Sequence, residues 1–328
     1  MHDNTSGRRR RSRKELRLRR KARRRRVIGT TATTVVALSA TFGYLTTRDP
    51  DGKAQAASGK SSTFTATPRP SPSRSVPAPV PSASDSAAVD LSSALKPVTT
   101  LFGQNRMAVA VQEIGSRRRA TFGEGSFDTA SIVKVDILAA LLLQAQDAGR
   151  TLTDEERAYA AAMIQKSGNA STSVLWEVIG SAAGLDAANR RLGLIETRGG
   201  IGTAWGITQT TAADQITLLQ AVFSAASPLS PASRSYIQDL MYHVSDDQDW
   251  GVSAAAEPGK PAALKNGWLQ RSRTKRWDVN SIGRIERNGR VYLTVVLLNN
   301  CSTQQVGIRL VEQAVSAAVT ALAKAATS

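Results

Sequence analysis

The apolar residues of this chain follow two different periods, and the order in which those periods change is what most limits the folds open to it. MAVAVQEI (107–114) and RRRATFGE (117–124) alternate apolar and polar positions on either side of a Gly-Ser turn, the pattern of two strands in a β-hairpin. From 131 to about 148 the spacing becomes helical and stops at Gly149. EERAYAAAMIQK follows, with Thr153 and Glu156 spaced as a capping box. Further helical runs are TSVLWEVIG, DAANRRLG, TAADQITLLQAVFSA and PASRSYIQDLMYHV. The period returns to two in AALKNGWL, WDVNSIGRIER and VYLTVVLLN, the last two joined through Asn288-Gly289. QQVGIRLVEQAVSAAVTALAKA closes the sequence as an amphipathic helix, and LSSALKPVTTLF reads as a short helix ahead of the first strand. Two strands, a helical block, three strands and a helix predict an α/β (α+β) fold. It would be a five-stranded antiparallel sheet flanked by terminal helices and packed against an all-helical region.

Only residues 91–328 have the composition to build that core. The net charge of +17 would point to nucleic acid if it covered a folded surface. About 14 basic and about 2 acidic residues fall within 1–26, so about +12 of the excess is confined to a tail and no nucleic-acid partner is expected. Residues 27–47, VIGTTATTVVALSATFGYLTT, are uncharged and long enough to cross a bilayer, with Tyr44 placed as an interface anchor. The arginines before them predict a cytoplasmic N-terminus and an exported remainder. A cleaved secretory signal is the rival reading, because Ala54-Gln55-Ala56 has the A-x-A form. A disordered nucleic-acid-binding arm is a third. Residues 48–90 shift to Pro, Ser, Thr and Ala without apolar period, the composition of a solvated, partly polyproline-II linker that suits a domain held away from a membrane. The expected organisation is a basic cytoplasmic tail (1–26), a transmembrane signal-anchor (27–47), a disordered linker (48–90) and a folded domain (91–328), expected as a monomer.

The single cysteine, Cys301, excludes an internal disulfide and a cysteine-built metal site, and neither metal nor cofactor is expected. It follows an apolar strand and reads as a strand-end residue. With only His2 and His243 in the chain, a Ser-His-Asp triad would rest wholly on His243.

Other chemistry is available to serine and lysine. S-x-x-K puts a hydroxyl and an amine one helical turn apart on one face. The pattern occurs at Ser93–Lys96, Ser131–Lys134 and Ser272–Lys275, and context separates the three. Ser272 lies in the basic stretch QRSRTKR, and Ser93 on the short helix after the linker. Ser131 alone opens a strongly apolar helix, SIVKVDILAALLL, where backbone N–H groups can bind a developing oxyanion and a poorly solvated lysine becomes a usable base. A capping serine and an outward-snorkelling lysine would read the same way. Ser167-Gly168-Asn169 sits between two helices, as a helix stop and start would. Lys265-Asn266-Gly267-Trp268 lies on a strand, where a glycine marks close approach of a ligand to the backbone and a lysine can hold a carboxylate; an exposed lysine next to a bulge would read the same way.

S-x-x-K, S-x-N and K-x-G in this order, on a helix start, an interhelix turn and a strand, resemble the three signature elements of the class A beta-lactamase and penicillin-binding-protein superfamily of serine hydrolases. The resemblance extends over about 91–328, including DWGVSAAAEPGKPAALKNGW with Trp250 upstream of the strand. It implies that Ser131 is acylated, that Lys134 is its base directly or by relay, and that Ser167 passes a proton to the departing nitrogen. Asn169 would hold the substrate amide, and Lys265, with Asn266, Gly267 and Trp268, would bind the substrate. The backbone N–H groups of Ser131 and Trp268 would form the oxyanion hole. The implied ligands are beta-lactams or D-amino-acid peptides of the cell wall.

The sequence departs from that family in the loop whose E-x-x-L-N glutamate activates the deacylating water. Here LGLIETRGGIGTAWGITQTTAADQ offers only Glu196 before Asp214, several residues too early. Asn266 also replaces a hydroxyl residue, and Ser131 and Ser167 are closer in sequence than is usual. Slow deacylation is therefore expected of the hydrolase, and a non-catalytic wall-binding or beta-lactam-sensing module that keeps the fold is the alternative.

Overall fold

In the computed structural model residues 89–101 and 105–325 are described. The expected tail (1–26), apolar span (27–47) and linker (48–90) fall outside them, apart from Val89 and Asp90.

The alternation in the strands resolves into two cores, one on each face of a single sheet. In β2 (Arg106–Glu113), Ala108 and Ala110 face one core while Met107, Val109 and Val111 face the other. β8 (Arg290–Cys301) divides in the same way, with Leu293, Val295 and Leu297 against Tyr292, Val296 and Leu298. Between them in sequence are β3 (Arg119–Phe122), β6 (Ala263–Gln270) and β7 (Trp277–Arg287). The expected five strands pair antiparallel in the order β3-β2-β8-β7-β6. A two-residue β1 (Val89–Asp90) adds a sixth, parallel to β3, so the sheet takes in residues ahead of the expected boundary at 91. β6 is the opposite edge, and among the described residues its outer backbone groups have no neighbouring strand.

Helices cover both faces, which is why strand residues on either side are apolar. The terminal helices α1 (Ser92–Thr99) and α8 (Gln304–Lys324) lie on one side. α8 is long and apolar enough to cross a membrane, but Leu310, Val311, Ala314, Val315, Ala318, Val319 and Leu322 form a buried stripe against the sheet, as in a core helix. The other side carries α2 (Val133–Asp147), α3 (Asp154–Gln165), α4 (Asn169–Val178), α5 (Ser181–Leu192), α6 (Ala212–Phe223) and α7 (Pro231–Tyr242). α2 is buried almost all round and runs through the middle of this layer. α3 begins at the capping box read from Thr153 and Glu156: both reciprocal hydrogen bonds are present, at 3.1 and 2.8 Å. A short pair, β4 (Phe127–Asp128) with β5 (Gln209–Thr210), joins the approach to α2 to the loop that follows α5.

Candidate active site

Three chain segments meet where edge strand β6 passes the N-terminus of α2. Ser131 sits in the 3-10 turn Ala130–Ile132 that runs straight into α2, half-buried on the wall of a cleft of about 350 Å³. Ala130 before it has φ +47°, a left-handed conformation costly for a residue with a Cβ. Surrounding bonds hold it there: Asn280 of β7 donates through Nδ2 to the carbonyls of Asp128 and Thr129 at 2.8 and 3.0 Å, and Thr129 N donates to Thr208 O at 2.8 Å. Gly267 completes the fit, because a Cβ there would stand 2.7 Å from Ser131 N and 2.8 Å from Thr129 O. The sequence reading expected a ligand to come close to this glycine; what comes close in the structure is the turn that carries Ser131.

Lys134, one turn along α2, is wholly buried. Its Nζ donates to Ser167 O at 2.8 Å, Ser167 Oγ at 3.1 Å and Asn169 Oδ1 at 2.9 Å, so the amine faces the Ser167 turn. It also lies 5.0 Å from the centroid of the Trp205 ring. Burial lowers its pKa to about 7. Lys265 on β6, also buried, donates to the same Ser167 Oγ at 3.1 Å and to Asn266 O at 2.9 Å. Burial first, and then the neighbouring Lys134, push its pKa well down, while Asp247 acts the other way. Ser167 Oγ thus accepts from both lysines, which uses both of its lone pairs and leaves its own proton to be donated elsewhere. The residue in the left-handed region of this turn is Ser167 itself, at φ +54°, while Gly168 is extended and caps α4.

Asn169 opens α4 and lines the cleft; with Oδ1 taken by Lys134, its amide nitrogen remains available. Trp268 lines the opposite side, its ring 5.8 Å from that of Trp250 and tilted by 54°. Asn266 is turned away from the cleft. It is buried, its Nδ2 donates to Gln248 O and Trp250 O at 2.8 and 3.0 Å, and its Oδ1 accepts from Ser281 Oγ at 2.6 Å. Its side chain holds β6 against the segment below, and the part of Asn266 that faces the lysine cluster is its carbonyl.

Other expectations separate cleanly. Ser93 and Lys96 are exposed on α1, and Ser272 and Lys275 are exposed in the β6–β7 turn. Glu196 is exposed, and its N–H bonds Asp214 Oδ2 at 2.9 Å. His243 is exposed at the end of α7, bonded through Nδ1 to Asp239 O at 2.7 Å. Cys301 is buried, and burial pushes its thiol up to about 12, where it is not nucleophilic.

The sequence reading missed Trp205 and Asn280. Trp205 stands on the loop between α5 and β5, held by a 3.3 Å bond from Nε1 to Ser173 Oγ. A tryptophan within a glycine-rich loop was its only signal, and an asparagine inside the apolar strand WDVNSI was that of Asn280.

The model of the beta-lactamase enzyme family matches residues 155–327, just over half of the chain, a span that includes Ser167 and Lys265 and begins after Ser131. No curated protein matches. Solved structures of similar fold include a leucine-to-glutamate mutant of PBP-A in its acyl-enzyme complex with penicillin G, at 20% identity and TM-score 0.60 over 72% of this chain and 98% of that one. The TLA-1 extended-spectrum beta-lactamase aligns at 15% identity and TM-score 0.62, over 70% and 98%. A class A beta-lactamase from Bacteroides cellulosilyticus aligns at 14% identity and TM-score 0.60, over 70% and 97%. Identities this low speak for the fold, and the family rests on the matching model together with that fold: the chain belongs to the beta-lactamase enzyme family, and it is a serine hydrolase.

Proposed function

We propose that the protein is an extracytoplasmic acyl-transfer enzyme in which Ser131 is acylated by beta-lactams or by related D-amino-acid peptides of the cell wall. The observation that carries this reading is the Ser167 hydroxyl shared by two buried lysines beside the Ser131 turn. In the proposed reaction the neutral fraction of Lys134 takes the Ser131 proton, and Ser131 Oγ adds to the carbonyl. The oxyanion forms against the N–H groups of Ser131 and of Trp268 on the edge strand. Ser167, its lone pairs held by the lysines, gives its proton to the departing nitrogen and recovers one from Lys134. Lys265, when charged, attracts the substrate carboxylate, and Asn169 Nδ2 meets its side-chain amide. The penicillin G acyl-enzyme of the PBP-A mutant supports beta-lactams as one ligand class.

Release of the acyl group is proposed to be slow, because among the described residues none that lines the cleft is Asp or Glu. A positioned general base is worth about 10²–10⁴ in rate. That observation also favours a second reading, a beta-lactam or wall-peptide sensor whose signal is the long-lived adduct. The basic tail, apolar span and linker support a single-pass anchor with the N-terminus in the cytoplasm and the enzyme outside.

Labelling of the full-length chain with fluorescent penicillin tests the chemistry. Label should be retained on the wild type and be absent from Ser131→Ala, whereas equal label on both would reject Ser131 as the acylated residue. For topology, exported protein that begins at Ala57 would replace the anchor with a cleaved signal.

A further inference from the structure

Asp136 lies two residues beyond Lys134 on α2, on the side away from the cleft, and is fully buried. Among the described residues its carboxyl receives one hydrogen bond, from Gln215 Nε2 to Oδ2 at 3.5 Å, and Oδ1 has no partner. Gln215 Oε1, on α6, is also buried without a partner. Two acceptors left facing the core on two side chains already in contact are costly as they stand, and a buried carboxylate with one long bond and no cation is costlier still. A single proton on Oδ1 removes both defects.

We propose that Asp136 is a protonated positioning residue, paired with Gln215 as a cyclic acid–amide dimer that fixes the Ser131–Lys134 helix to the wall of the cleft. Asp136 Oδ1–H donates to Gln215 Oε1, and one Nε2–H returns to Asp136 Oδ2. The second Nε2–H goes to Thr210 Oγ1 at 3.0 Å. Thr210 and Thr197 share a 2.8 Å contact, and Thr197 Oγ1 donates to Asp214 Oδ2 at 2.7 Å, so the direction of every proton in the chain is set. Thr210 pairs with Phe127 at the entry to the Ser131 turn, and Thr197 and Thr210 bracket the loop that carries Trp205. The dimer therefore joins the nucleophile helix to both ends of that loop.

Burial raises the carboxyl to about 8; the Gln215 bond opposes this, and Asp214, at the start of α6, adds to it. Lys134 is the other titrating group close by, on the same helix and turned to the cleft. Because the folded value lies above the ordinary carboxylate range, the folded chain holds a proton that the unfolded chain releases, and stability declines as pH rises from about 4 to about 8.

Asp136→Asn, made in the full-length chain, separates the proposal from a carboxylate role, because an amide donates to Oε1 and accepts from Nε2 without titrating. Its penicillin acylation rate near neutral pH should stay within about twofold of wild type, and the wild-type fall in rate above about pH 8 should vanish. The wild type's Tm should fall relative to that of the variant across the same window, and a carboxylic-acid C=O band in the wild-type infrared spectrum should be missing from the variant. Asp136→Ala should lose about tenfold or more in acylation rate. Because that variant can also fail by not folding, the asparagine variant and the infrared band decide. An Asn variant slowed about tenfold or more, or an unchanged carboxylic-acid band, overturns the proposal.

Discussion

A lysine ammonium with no carboxylate beside it is poorly held in a protein interior, and among the described residues Lys134 has as partners only a carbonyl, a hydroxyl, an amide oxygen and an indole face. That environment explains a pKa of about 7 and sets the sign of the pH dependence. The neutral amine, the proposed base, gains as pH rises, so acylation should climb through about pH 7 and then fall as Asp136 ionises near about 8. Stopped-flow acylation across pH would show this, and a rate flat from about pH 5 to 9 would remove Lys134 as the titrating base. Gly267 gives a steric test. A methyl group there must displace the Ser131 turn by several tenths of an ångström, so Gly267→Ala should cost about 1–3 kcal/mol in stability and slow acylation more than it weakens ligand binding. Unchanged acylation would mean that the turn can shift without consequence. That Ser131, Lys134, Ser167, Asn169 and Lys265 are candidates for one site was legible from residue type and spacing, and the fold brings them to one place. Asp136 was not, since its neighbours in V-D-I are all apolar and its partner Gln215 lies on a helix remote in sequence.

At the scale of elements, strands and helices announced themselves through period: alternate positions of MAVAV feed two different cores, and each helical run became a helix. The loop between α5 and β5 was legible only as lacking the E-x-x-L-N glutamate. Where its residues point is fixed by tertiary contacts, from Trp205 to Ser173, Trp176 Nε1 to Gly202 O and Gly200 N to Thr208 Oγ1, none of which has a sequence period. That loop also contains an opening. Gly206 lines the cleft, and a Cβ there would meet only Ala130 Cα, at 4.0 Å, so a side chain fits and faces the Ser131 turn. Gly206→Glu should place a carboxylate where a deacylating water needs its base and shorten the acyl-enzyme lifetime, by about 10² or more if the geometry is good. A lifetime unchanged from wild type would show that something other than the missing carboxylate limits release.

For the whole molecule, the site is a product of topology. The sheet's strands come from both ends of the folded region and the helical layer from its middle, so edge strand β6 meets the start of α2 and the α3–α4 turn at one place. This is why three motifs that are weak individually acquire meaning together, and why the exposed S-x-x-K matches at Ser93 and Ser272 do not. Two lysines of one charge are tolerated side by side because both are held below the usual lysine range and share one hydroxyl. The same arrangement predicts a definite order of events, fast attack and slow release. Intact-mass spectrometry of the full-length chain mixed with penicillin G, followed over time and mapped by peptide digestion, reads both. The expected result is a rapid gain of one penicillin mass located on Ser131 that persists after excess drug is removed. A chain that hydrolyses penicillin without accumulating an adduct, or that carries the adduct on any other residue, would contradict the account.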